Sequence, residues 1–487
     1  MATIQLRLLS EEDVRRILEE AYALLEEPGV RVYDPEALEM LEGAGARVDG
    51  ETRTAHIPAQ MVDRALETVP RSFYLYDLQG RPAVHYGGDD VHFDPGSAAI
   101  YILDYGSTRS RKPVTADLVA LLKLADVLKE LDAVSTALVC SDVPREISDL
   151  YRLYLALRFT GKPVVTGAFA IETWEVMYRL LVAVAGSEEA LAARPRAVFD
   201  VCPSPPLLWS EITCRNLVDC ARHNVPAEFV SMPLAGATGP ATLAGSVVQH
   251  AAESLSGIVI GQLANPGAPL VWGGSPAAFD MRTGTPPMGA IETMMIDLAY
   301  AQVGKSLGLP THAYMGMSDA KVLDAQVGLE SALGTLLAAL GGINMVSGAG
   351  MLDFESCQSL EKLVIDHEII AMVRRFLRGI DTGEPSLGLE IIRQVGHRGN
   401  FLVTQHTRRH FQKELYLPSS VIDRDFRQAW EEKGGLDAAA RAHRRVQELL
   451  AVYQPPALPD EVVAELEEIT LQAGRPYGLE HLPVWYG

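Results

Sequence analysis

Short runs of β-branched and aromatic residues alternate with longer segments whose apolar positions recur at helical spacing, and the alternation persists from Ala98 to about residue 378. Eight runs predict strands: AIYILD (99–104), AVSTALVC (133–140), PVVTGAF (163–169), AVFDV (197–201), AEFVSM (227–232), PLVWGG (269–274), PTHAYM (310–315) and INMVSG (343–348). Between them the periodicity predicts helices over 115–129, 145–160, 171–191, 211–223, 240–264, 290–307 and 324–340. Several have start signals, such as Thr115 ahead of Asp117 and Pro240 after a glycine-rich turn.

Strands separated one at a time by helices pair in parallel, because each crossover returns the chain to the same end of the sheet. Eight such units fit a closed (β/α)8 barrel of the TIM type. An open doubly wound sheet would show a phosphate-binding glycine turn, and neither GxGxxG nor GxxxxGK[ST] stands at the right place. The pattern changes at both ends. Residues 1–97 open with a capped helix over 10–25 (SEEDVRRILEEAYALL) and read as an N-terminal α/β extension. The barrel is assigned to 98–378, and 379–487 read as a mainly helical C-terminal extension closing on LEHLPVWYG, whose aromatics suit docking on another subunit or on the barrel itself.

Composition narrows the partners. No apolar run reaches the roughly 20 residues of a membrane span, and the first ten residues lack signal-peptide character, so a cytoplasmic location without membrane contact is expected. A formal charge of −21 repels nucleic acid and anionic lipid and favours a cationic substrate or basic partner. The five cysteines, Cys140, Cys202, Cys214, Cys220 and Cys357, are odd in number and lack CxxC spacing, so they read as buried thiols. His406 and His410 in HTRRH share a helical face, but Arg408 and Arg409 oppose a cation there and no HExxH accompanies them, so no metal site is assigned. A GxSxG elbow is also absent.

Barrel chemistry collects on the loops after the strands. On that rim the sequence places Asp104, Tyr105, Trp272, Asp280, Arg282, Tyr314, Asp319 and Ser347. Aromatic faces with acids suit a cation, and a guanidinium suits an anion, so the set suits a zwitterion. The plainer reading makes the acids helix caps, Trp272 packing, and Arg282 the structural partner of Asp280. Lys321 is the lysine a Schiff-base lyase or aldolase would need near the seventh strand.

Four long stretches, PLAGATGPATLAGSVVQHAAESLSGIVIGQLANPGAPLVWGG (233–274), FDMRTGTPPMGAIE (279–292), SDAKVLDAQVGLESALGTLLAALGGIN (318–344) and FLVTQHTRRHFQKELYLPSSVIDR (401–424), resemble the trimethylamine methyltransferase family. The resemblance implies a (β/α)8 barrel that passes a methyl group from a methylated amine to the cobalt of a corrinoid held by a separate partner protein, and it makes a homo-oligomer an expectation. One branch of the family contains pyrrolysine and uses trimethylamine. The other lacks it and includes demethylases of glycine betaine and related quaternary amines. Pyrrolysine is absent here, and Gln326 lies near its place, which directs the expectation to a quaternary amine. In that light Asp104, Tyr105, Trp272 and Tyr314 are candidates for a cation pocket with Asp280 and Ser347 beside it, and Arg282 for a substrate carboxylate. Asp319, Lys321 and Gln326 would shape the seventh loop, with Asp319 and Gln326 as the catalytic candidates. Where many relatives carry a histidine after the eighth strand, this chain reads MVSGAGML, which leaves room for a substrate other than glycine betaine. A non-catalytic relative that binds an osmolyte or a corrinoid protein is the remaining alternative.

Overall fold

The computed structural model describes residues 5–384 and 386–483. The terminal aromatics Trp485 and Tyr486 lie outside them. Eight parallel strands form one sheet: β1 (His92–Pro95), β2 (Val134–Ser135), β3 (Val164–Thr166), β4 (Ala197–Val201), β5 (Ala227–Phe229), β6 (Leu270–Gly274), β7 (Thr311–Tyr314) and β8 (Met345–Ala349). Neighbours in sequence are neighbours in space, and β8 pairs with β1 through Val346 opposite Phe93. The ring closes where Asp132 N–H, just ahead of β2, donates to the Phe93 carbonyl at 2.9 Å.

The helices after the strands are α1 (Thr115–Val127), α2 (Ser148–Phe159), α3 (Ile171–Ala185), α4 (Glu211–Arg222), α5 (Leu243–Ala264), α6 (Ile291–Ser306), α7 (Ala325–Leu340) and α8 (Leu360–Leu377). The architecture is the expected (β/α)8 barrel, and the last seven strands fall within the expected runs, give or take a residue at β8. The first does not. The opening barrel strand is His92–Pro95, ahead of residue 98. In AIYILD only Tyr101–Ile102 is strand, pairing with Cys357–Gln358 in a small sheet over the rim. The true strand, HFDP, is short and carries charge and proline, so an apolar count passes over it. Its Asp94 is wholly buried inside the ring, which a polar residue tolerates only with partners.

The N-terminal extension serves both ends of the barrel. A hairpin of Phe73–Tyr76 and Pro82–Tyr86 drives Leu75, Val84 and Tyr86 against Val165, Val198, Val271 and Met345, sealing the N-terminal end with an apolar layer. A second small sheet, Val30–Val32 with Arg47–Asp49 and Thr54–His56, takes as its edge Leu208–Trp209 from the loop between β4 and α4, with Arg31 opposite Leu208. The first helix, Glu11–Glu26, has the expected capping box between Ser10 and Asp13. At the other terminus, helices Ala438–Val452 and Asp460–Gly474 lie against α8 and α3 respectively. Between them, the short helices Leu389–Val395, Gln405–Glu414 and Arg427–Glu432 bury no side chain.

Candidate active site

Strand alternation decides which side chains enter the barrel. Along β7, His312 and Tyr314 point inward, and Tyr314 stands in register with Ser347, which stands opposite Asp94. Asp200 of β4 is likewise opposite Glu228 of β5. The interior is therefore a stack of polar groups. Ser347 Oγ donates to Asp94 Oδ1 at 2.5 Å and lies 3.0 Å from His312 Nε2. Burial holds His312 down to about 3, so it is neutral, and drives Asp94 well above the usual carboxylate range. Tyr86, rising from the sealed end, donates to Glu228 Oε2 at 2.9 Å. Burial, reinforced by the charge of Asp200, pushes Glu228 well above its ordinary value, which keeps it protonated.

Above this stack a cavity of about 360 Å³ opens at the C-terminal ends of the strands, between Ser97, Thr136, Arg152, Phe169, Asp200, Cys202, Met232, Tyr314 and Glu355. That volume is near the low end of ligand pockets, about 300 to 1,000 Å³, and suits a small molecule. Its floor is Tyr314, whose hydroxyl donates to the Ser97 carbonyl at 2.9 Å and lies 3.4 Å from Asp200 Oδ2. Asp200 also shares a hydrogen bond with the Glu228 carboxyl beside it, in which the proton that Glu228 retains is the donor. Burial raises Asp200 to about 6. Glu355 ends a run of three left-handed residues, Asp353, Phe354 and Glu355 (φ 51°, 55° and 69°), a conformation that costs roughly 1 to 2 kcal/mol for each non-glycine residue. Such a run turns the chain back over the strand ends, and Glu355 Oε1 accepts from Ser275 Oγ at 2.8 Å. Burial lifts Glu355 to about 7. Opposite these acids, Arg152 reaches the cavity from α2. At the entrance Phe169, Met232 and Ile212 are exposed by 53%, 40% and 39%, an apolar rim around a charged interior.

Of the residues expected at the site, Tyr314 lines this cavity and Ser347 lies in the polar layer beneath it. Trp272 is in register with Thr311, one residue out of phase with His312 and Tyr314, so its indole faces the helices. It donates to the Tyr300 carbonyl at 2.9 Å, and the backbone of Gly304 admits it where a Cβ would come within 2.5 Å. Asp104 is tied bidentately to Arg111 on the surface, and Tyr105 stacks on His443 with ring centroids 4.0 Å apart. Asp280 and Arg282 pair with each other in an exposed loop. Asp319 holds the loop before α6, accepting from Met288 N at 2.9 Å and Gly289 N at 3.0 Å, and burial raises it to about 6. Gln326, in the first turn of α7, donates to Glu330 Oε1 at 2.9 Å, and Glu330 Oε2 in turn accepts from Ser318 Oγ and Asp319 N. The seventh loop is thus a fastening for the rim. Lys321 pairs with Asp353 on its outer side and does not line the cavity.

The groups that do line it, Arg152, Asp200 and Glu355, were not among those expectations. For Asp200 and Arg152 the signal in the sequence is charge where periodicity demands an apolar residue: AVFDV places an acid inside a buried strand, and SDLYRLYLALRF an arginine inside a helix with almost no exposed face. Among the described residues no group of three His, Cys, Asp or Glu side chains is arranged to hold a metal, and no helix is long and apolar enough to cross a membrane. His406 and His410 stack on one another with centroids 4.4 Å apart.

A closed parallel barrel with a ligand-sized, charged cavity at the carboxyl ends of its strands defines the class of (β/α)8 barrel enzymes. Residues 2–473 match the family described as trimethylamine methyltransferase (MTTB). The chain belongs to that family and is a methyltransferase. It is 33% identical over 472 residues to trimethylamine methyltransferase MttB of Methanosarcina thermophila, covering 95% of this chain and 97% of that one. It is 32% identical over 476 residues to glycine betaine methyltransferase of Desulfitobacterium hafniense, covering 97% and 98%. Among solved structures, monomethylamine methyltransferase of Methanosarcina barkeri aligns at a TM-score of 0.49 with 12% identity, over 90% of this chain and 94% of that one.

Proposed function

We propose that this methyltransferase takes a methyl group from a small quaternary amine of the betaine type and delivers it to the cobalt of a corrinoid carried by a separate protein. The observation that supports this most is the chemistry of the cavity: an aromatic floor at Tyr314 with two half-buried acids, Asp200 and Glu355, neither offset by a basic partner within ion-pair distance. A quaternary ammonium has no N–H to donate, so it is recognised by charge and by aromatic faces rather than by directed hydrogen bonds. The nucleophile must come from elsewhere. Cys202 is the thiol in the lining, and burial pushes it far above the range in which it would be a thiolate.

In the reaction the acceptor contributes a Co(I) nucleophile. The bond between methyl carbon and nitrogen breaks with its electron pair remaining on nitrogen, leaving a neutral tertiary amine, and no proton changes place at the reacting centre. What remains for this chain is to hold and aim. Asp200 and Glu355 fix the ammonium over Tyr314 with a methyl towards the entrance, and the apolar rim of Phe169, Ile212 and Met232 offers a surface for the partner carrying the acceptor. Once the methyl leaves, the quaternary centre is gone and the smaller tertiary amine is released. The test is anaerobic incubation with reduced cobalamin and glycine betaine, proline betaine, carnitine, choline or trimethylamine, followed by the absorbance of methylcobalamin. Conversion with a quaternary amine and not with trimethylamine is expected. Conversion with trimethylamine alone, or with none while a control enzyme turns over, contradicts the reading.

A further inference from the structure

Arg152 is a charged group in an unusual position. It lies in the middle of α2, is 1% exposed, and reaches the cavity that holds Asp200 and Glu355. Its Nε donates to the Ser148 carbonyl at 3.1 Å and its Nη1 to the Thr136 carbonyl at 2.6 Å, while the guanidinium carbon lies 4.5 Å from the centre of the Phe169 ring. These contacts fix its orientation but bring no anion into contact with it, and the charges of Asp149 and Asp200 act on it only from a distance. The nearest acid in sequence, Asp149, is committed elsewhere: it accepts from the backbone N–H of Leu150 and Phe169 and from Thr173 Oγ1. Among the described residues Arg152 has no ion-pair partner, although a buried guanidinium left without an anion is costly, and the fold has acids in the same cavity that it keeps apart from it.

From this arrangement we propose that Arg152 binds the carboxylate of the substrate, so that the cavity recognises a zwitterion end to end and selects a trimethylammonium carboxylate over a quaternary amine that carries no anion. The inference rests on the proposed function for the ammonium half and adds the anionic half. It replaces Arg282, which is exposed by 89% and occupied by Asp280, as the candidate for that contact. A guanidinium is planar and presents its remaining N–H donors in one plane, the geometry that meets a carboxylate in a two-point contact.

The test is a binding titration of the full-length protein by calorimetry, without turnover, using glycine betaine and choline as probes of similar size that differ in the carboxylate. The wild type is expected to bind glycine betaine at least tenfold more tightly than choline. Arg152→Gln should abolish that preference while leaving choline affinity within about threefold. Arg152→Lys, which keeps the charge but not the fork, should retain part of it, and this separates loss of the anion contact from a general loosening of α2. A melting curve on each variant identifies any that fails to fold, in which case the Lys variant and the wild-type preference decide. Equal affinity of the wild type for the two probes, or an undiminished preference in a folded Arg152→Gln, overturns the role of Arg152 and leaves the quaternary-amine reading standing. If the wild type binds neither probe, the role of Arg152 is overturned, and the quaternary-amine reading falls with it only if proline betaine and carnitine also fail to bind.

Discussion

The two ends of this barrel are built from opposite materials. At the N-terminal end a hairpin fills the ring with Leu75, Val84 and the ring of Tyr86, packed on valines from three strands and Met345, and every one of these side chains is buried among apolar neighbours. At the C-terminal end the same strands, a few residues on, present Asp200 and Tyr314, with Arg152 and Glu355 arriving from outside the sheet. The plug at the sealed end joins the one hydroxyl it carries, that of Tyr86, to Glu228. The open end gathers Arg152, Asp200 and Glu355 around one cavity, and no ion pair forms among these three. That contrast locates function: stability is concentrated where packing is complete, and recognition where the fold tolerates an electrostatic deficit that a ligand relieves.

The comparison can be broken most forcefully at the sealed end. Leu75→Ala removes a fully buried side chain from the plug and should cost about 2 to 5 kcal/mol of stability by denaturant titration. Glycine betaine affinity should stay within twofold in the protein that remains folded. A large loss of affinity at unchanged stability would erase the distinction between the ends.

At the open end the signs should invert. Asp200→Asn removes a partner of the ammonium and should weaken binding by about 10- to 100-fold, or about 1.4 to 2.8 kcal/mol. Because the carboxylate it replaces is half-buried without a basic partner, the melting temperature should hold or rise. A clear fall in melting temperature would mean that Asp200 is structural.

A pH titration sharpens the contrast further. Burial raises Asp200 to about 6 and Glu355 to about 7, so in the empty protein both gain charge as pH climbs through that range. A bound cation favours the ionised forms, so affinity for glycine betaine should increase as pH rises from about 6 to 7 and level off above, with protons released on binding. Folding runs the other way. Acids whose native pKa is raised favour the folded state fully below their unfolded values, and lose that contribution as pH rises through the native ones. In Glu355→Gln the upper part of the affinity rise should vanish. Calorimetry in buffers of different ionisation enthalpy reads both effects, and a flat profile in the wild type would remove the acids from the site. The smallest effect is expected at Arg282→Ala, where breaking an exposed pair with Asp280 should change betaine affinity by less than twofold.

Much of the fold was legible because helical and strand periodicities are enforced by burial. Seven of the strands were visible as apolar runs, whereas HFDP was not, because a strand that carries an interior acid and ends in proline breaks the pattern used to find it. The site was legible only in part. Tyr314 could be placed from its position at the end of β7, but side-chain direction depends on register. A one-residue phase difference sends Trp272 to the helices and Tyr314 to the cavity. Asp280 and Arg282 satisfy each other locally, as exposed loop pairs do. Arg152, Asp200 and Glu355 come from a helix, a strand and a left-handed turn far apart in sequence, and the ring of strands alone brings them together. Arg152 and Asp200 share one clue, a charge inside an apolar segment, whereas Glu355 lies on a polar turn that carries no such mark.

The most direct measurement is a crystal structure of the protein with glycine betaine bound. The expected result is density in the cavity at the mouth of the barrel, with the trimethylammonium over Tyr314 between Asp200 and Glu355 and the carboxylate on Arg152. A ligand bound elsewhere on the chain, or one lying in this cavity with its carboxylate towards the acids, would contradict the account.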